Sequence, residues 1–77
     1  MTEKLIPNYK RYDLGHQVRG TVVEVVLSCI NNIRLMDDGN FNLYAESKDC
    51  KFLGGRAEKS PVRLVIPKTG HWHVVVD

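Results

Sequence analysis

Gly70-His71-Trp72-His73-Val74-Val75-Val76-Asp77 closes the sequence, and its alternation decides the fold. A period of two sends successive side chains to opposite faces of a strand. Trp72, Val74 and Val76 then share one face, which is apolar enough to be a core. His71, His73, Val75 and Asp77 share the other. With the tryptophan inward, both imidazoles look outward beside Pro67-Lys68-Thr69-Gly70. That stretch is a turn by composition: proline fixes one backbone angle and glycine permits an unusual one.

The segment before the turn repeats the pattern. In Val62-Arg63-Leu64-Val65-Ile66 the inward set is Val62, Leu64 and Ile66. A hairpin with the last strand sets Ile66 opposite Trp72, Leu64 opposite Val74 and Val62 opposite Val76, because directly opposed residues point the same way. On the outer face Val65 meets His73 and Arg63 meets Val75. A one-residue slip would put Trp72 beside Val65 and spoil both faces. Upstream, Thr21-Val22-Val23-Glu24-Val25-Val26-Leu27 is dense in β-branched residues and reads as a strand with Val23, Val25 and Leu27 inward. Ser28-Cys29-Ile30-Asn31-Asn32 reads as a turn. Ile33-Arg34-Leu35-Met36 is the return strand, with Leu27 opposite Ile33, Val25 opposite Leu35 and Glu24 diagonal to Arg34 on the outer face.

Asp37, Asp38 and Asn40 are helix-capping types, and Phe41 and Tyr44 are three apart, on one face of a helical turn. The expectation is a short helical turn over residues 40–45. Cys50-Lys51-Phe52-Leu53 reads as a strand stopped by Gly54-Gly55, followed by a polar link over residues 56–60. Near the start, Pro7 limits residues 4–9 to an edge strand or none. Residues 9–14 read as extended, and Gly15 and Gly20 break the chain on either side of Val18. Together these elements predict a single domain over residues 1–77, all-β: a small antiparallel β-sandwich of about six strands with one short helical turn.

Composition narrows the function. The chain has 77 residues, 43% hydrophobic and 26% charged, which argues for a folded domain with a thin core. Its 11 basic and 9 acidic residues are too balanced for a nucleic-acid or membrane footprint, so neither partner is expected. No apolar run approaches the roughly 20 residues of a membrane helix, and the first residues lack the apolar stretch of a signal peptide. The expected location is the cytoplasm. Cys29 and Cys50 read as small half-buried thiols of a reducing compartment rather than a disulfide.

His71-x-His73 can fill two positions on zinc, but a site needs at least a third protein ligand. The neighbours expected across the hairpin, Val65 and Arg63, are not ligands. Asp77 shares the face but lies roughly 13 Å along the strand from His73. Only His16 or a cysteine remains, so the expectation is a solvated polar face with no metal and no cofactor. Ser28, Ser47, Ser60 and the two cysteines sit in no nucleophile elbow, so no catalytic residue is assigned and no enzyme is expected. Gly54-Gly55-Arg56 lacks the helix and the lysine–serine pair of a phosphate loop. Asp37-Asp38-Gly39-Asn40 lacks the alternate spacing and terminal glutamate of a calcium loop. Tyr9-Lys10-Arg11-Tyr12 has residues that stack on bases, yet at this net charge it reads as a half-exposed strand.

Asn32-Ile33-Arg34-Leu35-Met36-Asp37, Asn40-Phe41, Tyr44, Gly54-Gly55, Ser60-Pro61-Val62-Arg63-Leu64 and Gly70-His71-Trp72 form a combination of motifs. It resembles the bacterial domain of unknown function family eighteen-eighty-three, from about Asp13-Leu14-Gly15-His16 to the end. Ile33 stands where valine is usual, and Cys50 lies where the family's loop varies. The resemblance implies a small all-β sandwich that occurs alone or ahead of a TIR domain, a module linked to bacterial immunity and signalling. It implies no activity, substrate or catalytic residue. Relatives that continue past Asp77 imply that this sequence is a piece of a longer protein.

The leading functional expectation is a non-catalytic binding or interaction module in bacterial signalling. It would recognise an unknown ligand or protein through residues 37–44 and the loop ends beside Gly54-Gly55 and His71, since loops on a rigid sheet carry such contacts. Arg34, Asp37, Asp38, Asn40, Tyr44, His71 and His73 are the candidate binding residues. Each also has a structural reading: capping for Asp37, Asp38 and Asn40, packing for Tyr44, a surface charge pair for Arg34, a solvated face for the histidines. The alternative is a structural or self-associating domain, as a homodimer, because Val22, Val26, Val65 and Val75 point away from the expected core. A metal-dependent hydrolase ranks behind both, because it requires a third ligand or a base close to His71 and His73.

Overall fold

Alternating β-branched residues make the strands, and the computed structural model, which describes residues 2–5 as backbone together with 11–27 and 29–77, sorts them into two sheets. In chain order the elements are β1 (Thr2–Leu5), β2 (Arg11–Gln17), β3 (Val22–Val25), β4 (Asn31–Asp37), α1 (Asp38–Ala45), β5 (Leu53–Ala57), β6 (Val62–Val65) and β7 (Gly70–Val76). One sheet runs β1-β3-β6 and the other β2-β7-β4-β5. The fold is all-β with one short helix. Seven strands are present among the described residues, against about six expected, and β1 pairs with β3 in parallel rather than antiparallel. No helix among them is long and apolar enough to cross a membrane.

The core lies between the sheets. Val23 and Val25 from β3 meet Ile33 and Leu35 from β4 and Trp72, Val74 and Val76 from β7, with Ile66 closing one end. Val62, Leu64, Tyr12, Leu14 and Leu27 pack against this cluster. Each fully buried aliphatic side chain contributes about 1.5–3 kcal/mol. The inward faces are therefore those the alternation specified. The indole Nε1 of Trp72 donates to the carbonyl of Lys68 at 2.9 Å, which satisfies the one polar group that this side chain carries into the core.

The expected hairpins do not form. β3 pairs with β6, in the register Val23↔Leu64, Glu24↔Arg63 and Val25↔Val62, and not with β4. β7 pairs with β2 and β4, and not with β6. Each connection, 26–30 and 66–69, carries the chain from one sheet to the other. Alternation fixes which face is inward but not which strand lies alongside. Two amphipathic strands bury their apolar faces as well by facing each other across a core as by lying side by side. Glu24 accordingly pairs with Arg63 at 3.6 Å instead of lying near Arg34. His73 is flanked by Asp13 and Met36, not Val65, and Val75 by Arg11 and Arg34, not Arg63.

Several local expectations also shift. β4 begins at Asn31, so both asparagines belong to the strand rather than to the turn. β5 starts at Leu53 and contains Gly54 and Gly55, so the glycines do not end it. Gly54 has φ +113°, and a Cβ there would lie 2.4 Å from the carbonyl oxygen of Ile33. Its absent side chain is what lets β5 approach β4. Gly15, at φ +69°, sits within β2 at a bulge between Asp13 and Gly15 rather than breaking the chain. Ser28 of the expected turn, Tyr9 and Lys10 of the stretch Tyr9-Lys10-Arg11-Tyr12 and the restriction at Pro7 fall on residues 28, 9–10 and 7, outside the described residues. Cys29 is exposed rather than half-buried, Cys50 is intermediate, and both thiols are free.

Candidate functional site

The helix positions most of the candidate residues. Asp37, in extended conformation, caps α1: its Oδ1 accepts the Asn40 N–H at 2.9 Å and the Asn40 side-chain amide at 2.9 Å. Because Asp37 and not Asn40 is the cap, the helix starts two residues earlier than expected. The Asn40 N–H, above all, holds the Asp37 carboxyl below the usual carboxylate range, and Lys68, 3.4 Å away, acts in the same direction. Asn40 Oδ1 accepts the Lys51 N–H at 2.8 Å and ties the helix to the loop before β5. An eight-residue helix is marginal alone. It is held by docking on the outer face of the four-stranded sheet.

Phe41 and Tyr44 make that docking, and they divide the outer face into two clusters. In the first, Phe41 stacks on His73 with ring centroids 4.0 Å apart and an interplanar angle of 8°. His73 stacks in turn on His71 at 4.8 Å and 23°. His73 Nε2 donates to Asp38 Oδ1 at 2.9 Å, and His71 Nε2 to Asp13 Oδ1 at 2.6 Å. Asp13 also accepts the Gly15 N–H at 2.7 Å, and this bond, followed by His71, holds its carboxyl below the usual range. His73 is 6% exposed, so the solvated face expected for it is corrected: the helix covers it. His71 remains exposed. One ring nitrogen from each histidine and one oxygen of Asp13 lie within 4.8 Å of one another, a donor set with metal-ligand chemistry.

In the second cluster, Arg34 Nη1 contacts both carboxylate oxygens of Asp77, and the Tyr44 hydroxyl donates to Asp77 Oδ2 at 3.3 Å. The guanidinium groups of Arg11 and Arg34 lie 5.3 and 5.9 Å from the Tyr44 ring centroid, and Arg34 also lies 5.3 Å from that of Phe52. Val75 lies 1% exposed on this outer face, so it adds nothing to an apolar surface. Val22 and Val26 are only half-buried, and of the four outward valines Val65 alone is exposed.

A cleft opens at the end of the sandwich beside the helix cap. It holds about 340 Å³ of space, open to solvent, and is lined by Leu35, Asp37, Asn40, Lys51, Phe52, Leu53 and Trp72. Phe52 and Leu53 are 43% and 42% exposed at this place. They precede and begin β5, an edge strand of its sheet.

The candidate residues thus fall into three groups. Arg34 and Tyr44 join Asp77, Asp37 and Asn40 line the cleft, and Asp38, His71 and His73 join Asp13. Asp13, Lys51, Phe52 and Asp77 were not singled out by sequence reasoning as site residues. Asp13 follows from the β2–β7 register, which no local signal specifies. Alternation places Asp77 on the correct face, but the expected β3–β4 hairpin assigns its partner Arg34 to Glu24.

No curated protein and no solved structure matches the chain. A family model, described as a domain of unknown function (DUF1883), matches residues 8–77. With its all-β fold and with that match over nearly its whole length, the chain belongs to the DUF1883 family.

Proposed function

We propose that this domain is a non-catalytic recognition module that binds an extended segment of a partner protein at the cleft between the α1 cap and β5. One observation carries the reading: an apolar cleft with a few polar groups, Asp37, Asn40 and Lys51, opens beside an edge strand whose Phe52 and Leu53 are uncovered. Edge strands offer unpaired backbone groups to an added strand, and an adjacent apolar pocket supplies side-chain selectivity. Arg34 and Tyr44 serve this surface indirectly, by fixing the helix and Phe52. A cytoplasmic setting in bacterial signalling, beside a TIR module, is the context that the family resemblance supports.

The test is chemical-shift mapping with a panel of extended peptides carrying apolar side chains at alternate positions. The reading expects shifts at Asn40, at residues 51–53 and along the β5 amides, abolished in F52A. Shifts elsewhere, or none, contradict it. Self-association is the second reading, because the same uncovered edge suits another copy of the chain. A concentration-independent monomer by mass measurement removes it, whereas a dimer dissociated by L53S would replace the partner protein with a second copy.

A further inference from the structure

We propose that Asp13, His71 and His73 bind a divalent transition-metal ion of the zinc class on the outer face of the four-stranded sheet. No residue of this set lines the cleft, so the inference stands independently of the recognition reading.

The donor types are two imidazoles and one carboxylate, which is the three-ligand set of open zinc sites. The backbone supplies the placement. His71 and His73 alternate onto one face of β7, and Asp13 lies directly opposite His73 on β2. The bulge between Asp13 and Gly15 follows at once. Bulges of this kind re-aim a side chain, and here Asp13 reaches along the ladder to His71. Donors on a tetrahedral zinc ion lie about 3.4 Å apart, from metal–ligand distances of about 2.0–2.1 Å. The present spacings run from 2.6 Å, between Asp13 and His71, to at most 4.8 Å across the set. Asp13 and His71 must separate by about 0.8 Å and the widest spacing must close by up to about 1.4 Å, with the exposed His71 ring turning off the face of His73.

His73 needs no movement to be organised. Asp38 holds one of its ring nitrogens, and Phe41 stacks on its face. A carboxylate on one nitrogen orients a ligating imidazole and raises its basicity at the other. An ion at Nε2 of His71 replaces the hydrogen bond that this nitrogen makes to Asp13, and the neutral ring then carries its proton on Nδ1. Asp13 and His71 are exposed, so the fourth position opens outward and takes water or a donor atom from a ligand.

The experiment is calorimetric titration with zinc chloride, repeated with cobalt(II) followed by visible absorption. It is run on the wild-type chain and on C29S/C50S, which removes thiol binding. The expected result is one ion per chain in both, a four- or five-coordinate cobalt spectrum, and zinc-dependent shifts of the His71 and His73 ring resonances. D13N and H71N leave the buried ring in place, and each weakens zinc at least about 10-fold, while D38N weakens it about 10- to 100-fold through orientation alone. Amide spectra of each variant without metal confirm that it is folded. No binding by the wild type, binding lost in C29S/C50S, or full affinity kept in both D13N and H71N overturns the proposal.

Discussion

Gly54→Ala is predicted to be the most damaging change to an exposed position, and the magnitude can be worked from geometry. The substitution acts twice. An L side chain at φ +113° is strained, at about 1–3 kcal/mol. In addition, the new Cβ would sit 2.4 Å from the Ile33 carbonyl oxygen, where real contacts stay above 3.0 Å. β4 and β5 must part by about 0.6 Å at that point, which weakens one or two ladder hydrogen bonds worth about 0.5–1.5 kcal/mol each. The sum is about 1.5–6 kcal/mol. Gly55→Ala is the internal control: φ is +143° and nothing lies within 4 Å, so only the conformational cost of about 1–3 kcal/mol applies. A 77-residue domain has roughly 4–12 kcal/mol of stability, so the first variant loses a large share of it. Urea unfolding should rank G54A below G55A by about 0.5–3 kcal/mol, with about 4–8 °C in Tm for each kcal/mol. Equal losses in the two variants would refute the close β4–β5 approach.

Other substitutions separate the remaining contacts. Asp37→Ala should cost about 0.5–2 kcal/mol in urea unfolding, and Asp37→Asn much less, because asparagine also caps. The Asp37 carboxyl is held below its ordinary value in the folded state, so its contribution is present above the unfolded value of 3.8 and is lost as pH falls through the lower folded value. Stability measured from neutral pH downward should therefore fall less steeply in D37N than in the wild type. Phe41→Ala removes the ring over His73, worth about 0.5–1.5 kcal/mol beyond area burial, and should shift the His73 ring resonances while leaving those of Val23 in place. Leu35→Ala should cost about 2–5 kcal/mol, whereas Arg63→Ala, at an exposed pair with Glu24, should cost about 0.2–1 kcal/mol.

Much of the fold was legible because burial leaves a mark on sequence. Trp72, Val74 and Val76, and likewise Val23, Val25, Ile33 and Leu35, are inward as their alternation required. Pairing was not legible. Val23 and Leu64 are neighbours in one sheet, while Leu64 and Val74 belong to different sheets and share one core, and both arrangements bury the same faces. That single ambiguity hid the histidine cluster. With β6 alongside β7, His73 met Val65; with β2 alongside, it meets Asp13, a ligand type. The helix was visible in Asp37, Asn40, Phe41 and Tyr44, but its landing place was not. Burial of His73 and Val75 depends on where α1 docks, a tertiary fact with no local signature.

β2, not β6, lies beside β7 and so brings Asp13 to the two histidines. Interstrand backbone NOE contacts in solution report this pairing. They are expected to link Tyr12 with Val74 and Asp13 with His73, and also Val23 with Leu64. Backbone contacts of Leu64 with Val74, and none from Asp13 to His73, would contradict this pairing.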